Sequence, residues 1–281
     1  MYIIVIGTDK VNYNKNRKRM SVFVHNDIVK IMSVFGEYPL EFCCFLEGHC
    51  VYWILDNYEN REVLMKKHIV CIGDSNTHGY CADPADCADG GIRFNENERW
   101  TCLLQKELGE DFLVTEEGLS GRTTVFPDHL YENMDVFSYF WGLLKSHEYI
   151  DLLIIMLGTN DSKERFHASA ACIAWGMERL CRKAMATDCW APGAKPNILI
   201  VSPPPVDKRV ETSRVADEMG QGSVEKSQQL AAYYQQKADL LGIHFLDAAG
   251  CEFNEIDFMH LTKKGHRQLA DRFLAKIREI L

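Results

Sequence analysis

The chain has 281 residues, 47% of them hydrophobic, and a formal net charge of -9. That length suffices for one substantial α/β core with residues to spare. The acidic balance argues against general affinity for nucleic acid or an anionic membrane surface, since both require clustered Lys and Arg.

Residues 1 to 64 carry Cys43, Cys44, Cys50, Trp53 and many other aromatics, yet show no sustained period. The only dense basic run, Lys15 to Arg19, lies here, and the apolar run after it is broken by His25, Asp27 and Lys30, a poor fit to a signal peptide. Arg61-Glu62-Val63 can be encoded by a purine-rich stretch resembling a bacterial ribosome-binding site just ahead of Met65. The expectation is that 1 to 64 is an extension created by a start codon placed too early, and that Met65 begins the native protein and its 65 to 281 domain. An accessory region is the competing reading, and mass spectrometry of the native protein separates the two.

From Lys66 onward short apolar runs alternate with longer stretches of helical period. The runs at 68 to 73, 112 to 118, 151 to 158, 197 to 203 and 242 to 247 are continuous rather than alternating, as in parallel strands covered on both faces. Between them, 97 to 108, 132 to 147, 168 to 187 and 223 to 241 read as helices, and the last segment sets Leu269, Phe273, Ile277 and Leu281 on one face. This alternation predicts a five-stranded parallel sheet with crossover helices. The motifs that could carry chemistry all fall where a strand ends, the edge at which open α/β sheets bind ligands.

The first motif, Gly73-Asp74-Ser75-Asn76-Thr77-His78-Gly79, follows an apolar strand directly. Flanking glycines permit a tight turn that would lift a serine from the sheet edge. The motif is neither a phosphate loop nor the G-x-S-x-G elbow. Taken alone, an ordinary capped turn explains it equally well. Further along stand EGLSGRTT (117 to 124), LGTND (157 to 161) and DFMHLT (257 to 262).

In this order, GDSNTHGY, EGLSGRTT, LGTND and DFMHLT resemble the four blocks of the SGNH (GDSL-type) hydrolase superfamily. With VSPPP (201 to 205), their wording is similar to its arylesterase and acyltransferase branch. The resemblance covers 68 to 281. It implies a three-layer α/β/α, flavodoxin-like sandwich and a serine ester hydrolase working through an acyl-enzyme. It also implies Ser75 as nucleophile, His260 as base and Asp257 as the third triad member. A D-x-x-H spacing lets a short loop bring the carboxylate to the far ring nitrogen, fixing the tautomer and stabilising the imidazolium. The resemblance assigns the oxyanion hole to the N–H groups of Ser75 and Gly121 and the side-chain amide of Asn160, and glycine at 121 leaves the oxyanion unobstructed.

Asp74 and Asp161 resemble a catalytic carboxylate pair, but each follows a strand end where Asp caps a helix or ties a turn, and structure is the preferred reading. Arg122 and Thr123 are expected to brace the second block, with substrate contact as the alternative. His78 has no base role in the family pattern, and His244 and His266 read as strand and helix histidines. Trp100, Trp141 and Trp175 read as core or interface aromatics. The charged segment 206 to 222 is a candidate lid or oligomer contact. Eleven cysteines, an odd number with no C-x-x-C, read as small buried hydrophobes in a reducing cytoplasm.

The expected enzyme needs no cofactor and no metal, takes a small-molecule ester, and has neither a nucleic-acid nor a membrane partner, with a homo-oligomer as an open reading. Short acyl groups on aryl, alkyl or sugar alcohols are the expected substrates, with acyl transfer to alcohols as a further activity. The alternatives are a carbohydrate deacetylase, a thioesterase or lysophospholipase, and, from another class, a binding protein that kept the fold without the reaction.

Overall fold

A computed structural model describes Tyr2–Ile6, Phe42–Leu46, His49–Ile54 and residues 65 to 281. The chain divides into two units, Met1–Leu64 and Met65–Leu281. In the first, Tyr2–Ile6 (β1), Phe42–Leu46 (β2) and His49–Ile54 (β3) form an antiparallel sheet in the order β1-β3-β2. Arg61-Glu62-Val63, on which the expected start at Met65 rests, lie outside the described residues.

The second unit is built on Lys67–Gly73 (β4), Phe112–Gly118 (β5), Leu152–Met156 (β6), Ile198–Ser202 (β7) and His244–Asp247 (β8). All pairings are parallel and the order is β5-β4-β6-β7-β8. Three strands, β4, β6 and β7, lie inside the sheet and end in runs of fully buried residues. That burial on both faces is why they read as continuous apolar runs. The edge strands depart from this expectation, since β5 and β8 are only half-buried. On β5, Glu116 turns outward to pair with Arg93 and Arg99, and Glu117 meets His147.

Alternation along the inner strands feeds two cores. Val70, Ile72, Leu153, Ile155, Ile198 and Ile200 pack with Phe140–Ser146 (α3), Ala170–Met185 (α4) and Ser223–Leu241 (α6). Their neighbours Ile69, Cys71, Leu152, Ile154, Leu199 and Val201 pack with Trp100–Leu108 (α2) and Lys263–Ile280 (α7). Helices thus cover both faces of the sheet, giving the expected three-layer α/β/α sandwich. Leu269, Phe273 and Ile277 are buried as their spacing predicts, and Phe273 stacks on Trp100 with ring centroids 4.4 Å apart. Trp141 and Trp175, by contrast, are exposed.

One expected helix is shorter than its pattern. Residues 132 to 147 contain a 3-10 turn, Val136–Ser138, before α3 begins at Phe140. Asp135 bridges to Thr123, and its side chain accepts from Ser138 N–H, so the backbone is committed to the second block before a helix can start. The eight cysteines of residues 65 to 281 are free thiols. Among the described residues no helix is long and apolar enough to cross a membrane.

Strand order positions the site. The chain runs from β4 outward to β5 and returns to the other side of β4 as β6, so the crevice at their carboxyl ends lies at a topological switch point. The first three sequence blocks begin there: Gly73 pairs with Gly118 on one side and Met156 on the other. Gly118 admits no side chain, because a Cβ there would stand 2.2 Å from the backbone nitrogen of His78.

Candidate active site

Ser75 opens a single-turn helix, Ser75–His78 (α1), directly after β4. Asp74 caps it by accepting from Asn76 N–H at 3.0 Å, and Gly79, in the left-handed region, ends it. The strand-turn-helix arrangement places the serine at the sheet edge, where it is 6% exposed.

His260 and Asp257 arrive from the loop between β8 and α7. Ser75 Oγ lies 2.8 Å from His260 Nε2, and His260 Nδ1 lies 2.8 Å from Asp257 Oδ2. With the ring proton on Nδ1 donated to the carboxylate, Nε2 is free to accept the serine proton. The other carboxylate oxygen, Oδ1, accepts from Asn254 Nδ2 (2.8 Å), His260 N–H (3.1 Å) and Met259 N–H (3.2 Å). Burial pushes the Asp257 carboxyl up, but the hydrogen bond and charge of His260, with the Asn254 bond, outweigh it and hold the group well below the usual carboxylate range. Between them Phe258 adopts φ +59°, a left-handed conformation uncommon for a bulky residue.

Gly121 follows β5 with φ +90°. Asn160 follows β6, and its Nδ2 donates to Arg122 C=O at 3.1 Å, which leaves its second amide hydrogen available. Ser75, Gly121, Asn160, Asp257 and His260 line one cavity of about 180 Å³. Tyr80, Lys163, Val215 and Met259 are among the residues that enclose it. A larger hollow of about 680 Å³, lined by Asp83, Asp207 and residues of 251 to 256, holds none of the five.

The supporting residues lie beneath this cavity. Arg122 is buried, donates to the carbonyls of Gly73 (3.1 Å) and Glu117, and reaches Tyr139 Oη at 3.0 Å, binding the ends of β4 and β5 together. Asp161 accepts from Thr124 N–H at 2.9 Å and from its hydroxyl, holding the second block to the third. Burial raises the carboxyls of Asp74 and Asp161, the latter to about 6, and each keeps one oxygen without a partner. Neither lines the cavity. His78, His244 and His266 also lie outside it, and among the described residues no group of three His, Cys, Asp or Glu side chains is placed to hold a metal ion.

Several contributors went unseen in the sequence. Asn254 holds the loop of Asp257 and His260, accepting from the N–H groups of Ile256 and Asp257 while donating to Asp257 and to His260 C=O. Tyr80 packs its ring 4.6 Å from that of His260. Lys163, just beyond LGTND, is buried and paired with Glu218. Asn76, inside the first motif, was legible as a residue but not as a contact.

The model of the GDSL-like lipase/acylhydrolase family matches residues 71–268. The chain belongs to this family. Among solved structures of SGNH hydrolases, a carbohydrate acetylesterase family member from Sinorhizobium meliloti is 35% identical, covering 76% of this chain and 99% of its own, with a TM-score of 0.69. The native aryl esterase of M. smegmatis is 33% identical, with coverage of 76% and 100% and a TM-score of 0.66. A second carbohydrate acetylesterase from Sinorhizobium meliloti is 32% identical, with coverage of 77% and 100% and a TM-score of 0.67. No curated protein matches the chain. The SGNH resemblance carried by the four blocks is therefore borne out, and with it the fold and the activity: the protein is a carboxylic ester hydrolase.

Proposed function

We propose that the enzyme hydrolyses short-chain acyl esters through an acyl-enzyme on Ser75. His260 Nε2 takes the proton of Ser75 Oγ as that oxygen attacks the ester carbonyl. Asp257 holds the Nδ1–H tautomer and balances the imidazolium charge. The oxyanion is met by the N–H groups of Ser75 and Gly121 and the free amide hydrogen of Asn160. Collapse returns the proton from His260 to the leaving alcohol, and a water activated by the same histidine then releases the acid. No cofactor enters these steps.

The unbroken chain from Ser75 Oγ through His260 to Asp257, with both links at 2.8 Å, carries the reading. Labelling with a fluorophosphonate tests it: the wild type is expected to label and Ser75→Ala not to, and equal labelling of the two would remove Ser75 from its role.

Cavity size supports the substrate class. At about 180 Å³ it falls below the ~300–1,000 Å³ usual for small-molecule sites, which favours acetyl and similarly short groups over lipid chains. Acetylated sugars are the second reading, supported by the polar side chains of Ser120, Lys163 and Glu218 around the cavity and by the two similar carbohydrate acetylesterases. Free thiols throughout residues 65 to 281 favour a reducing compartment, and we place the enzyme in the cytoplasm.

A further inference from the structure

The segment 206 to 222 supplies a wall that none of the four blocks provides. It folds as a 3-10 turn, Lys208–Thr212, and a short helix, Ala216–Met219 (α5). Val206, Val210 and Met219 pack on Met259, the residue before His260.

Its first half is fastened to the triad side of the cavity. Asp207 N–H donates to Phe258 C=O at 3.3 Å, and the Arg209 guanidinium lies 4.4 Å from the Phe258 ring centroid. Arg214 donates to Ala82 C=O at 3.1 Å and stands 3.9 Å from Asp257 Oδ2. Its second half is fastened to the loop that carries Asn160. Lys163 Nζ donates to Glu218 Oε1, Arg165 donates to Glu218 C=O at 3.3 Å, and Gln221 N–H donates to Glu164 at 2.9 Å. The segment therefore spans the cavity, which Val215, between its two anchorages, and Glu218, at the second, both line.

Glu218 is fixed more firmly than an exposed glutamate elsewhere would be. The Lys163 side chain is 4% exposed and Glu218 is the acceptor for its ammonium, so moving the carboxylate away leaves a buried charge without its partner. The carboxylate arm is half in solvent, so truncating it opens the wall outward rather than emptying a core.

We propose that Glu218 is a specificity-determining residue: held against Lys163, its side chain closes the ester pocket and confines it to short acyl groups. This rests on the cavity around Ser75 being the ester site. Removing the carboxylate arm frees room on the order of two water volumes of ~30 Å³ each, enough for an acyl chain about two carbons longer. A methylene gained or refused by a pocket changes kcat/KM by roughly 10- to 200-fold.

The test is kcat/KM on nitrophenyl acetate, butyrate, hexanoate and octanoate for wild type, Glu218→Ala and Glu218→Asp, with Tm measured on each. Wild type is expected to favour acetate. Glu218→Ala is expected to raise the butyrate-to-acetate ratio about tenfold, and Glu218→Asp, shorter by one methylene but still charged, to raise it by a smaller factor. An unchanged ratio in folded Glu218→Ala overturns the proposal. Should that variant fail to fold, Glu218→Asp decides by the same ratio. Failure of the underlying reading looks different, because wild type would then hydrolyse none of these esters or favour octanoate from the outset.

Discussion

Asn76 grips the backbone on both sides of His260: its Oδ1 accepts from Leu261 N–H at 3.0 Å and its Nδ2 donates to Met259 C=O at 3.2 Å. Trp100 Nε1 in turn donates to Asn76 C=O at 3.1 Å. The residue beside Ser75 thus sets the position of His260. Asn76→Leu keeps the bulk and removes both bonds. It is expected to lower kcat by about 10- to 100-fold, as misplacement of a catalytic group by about 1 Å does, with KM changing less. A kcat within twofold of wild type would show that the loop holds its own geometry.

Asn160→Ala removes one proposed oxyanion donor while leaving Ser75 and His260 intact. Steady-state kinetics should show kcat reduced by about 10² to 10³, with fluorophosphonate labelling slowed rather than abolished. Asn160→Asp is expected to be worse, since a carboxylate would face the developing negative charge.

Asp257→Asn preserves shape but changes what His260 Nδ1 meets. The asparagine can present an N–H there, favouring the tautomer whose Nε2 carries the proton and cannot accept one from Ser75. A fall in kcat of roughly 10³ to 10⁴ is expected. Activity of the variant that recovers at high pH, where serine deprotonation no longer depends on the histidine, is the confirming signature.

His266 makes stability depend on pH. Burial, then the charges of His260 and Arg99, lower its pKa to about 3. Its Nδ1 accepts from Trp100 N–H, and its Nε2 has no partner. The folded value lies below the ordinary one of about 6.5, so the unfolded chain binds the proton more readily. Stability from this residue is therefore complete above pH 6.5 and lost as pH falls toward 3, by about 2 kcal/mol at pH 5. His266→Gln should shrink the difference in urea unfolding free energy between pH 7 and pH 5 by about that amount. Asp161, whose carboxyl is raised to about 6, acts with the opposite sign in this window but is common to both proteins.

What could be read from sequence, and what could not, divides along a physical line. The strands were legible because burial on two faces leaves β4, β6 and β7 unbroken by polar residues. Ser75, Gly121, Asn160, Asp257 and His260 were legible because each sits in a short local motif, and the structure gathers all five in one cavity. Missed contacts join residues with no sequential relation: Asn76 meets Leu261 across 185 positions, and Lys163 meets Glu218 across 55. The start of α3 was missed because Asp135 belongs to a bridge with Thr123, a tertiary claim on residues whose own period reads as helix.

Ser75 follows the first strand of its sheet, and His260 precedes the helix that completes the second core. The bond between them joins residues 185 positions apart. The loop that carries His260 runs directly into α7, whose Leu269, Phe273 and Ile277 pack in the same core as Trp100 of α2 and Ile69 of β4. Ester turnover is thus expected to report the docking of that layer, and in a refolding experiment to return with the packing of the last helix.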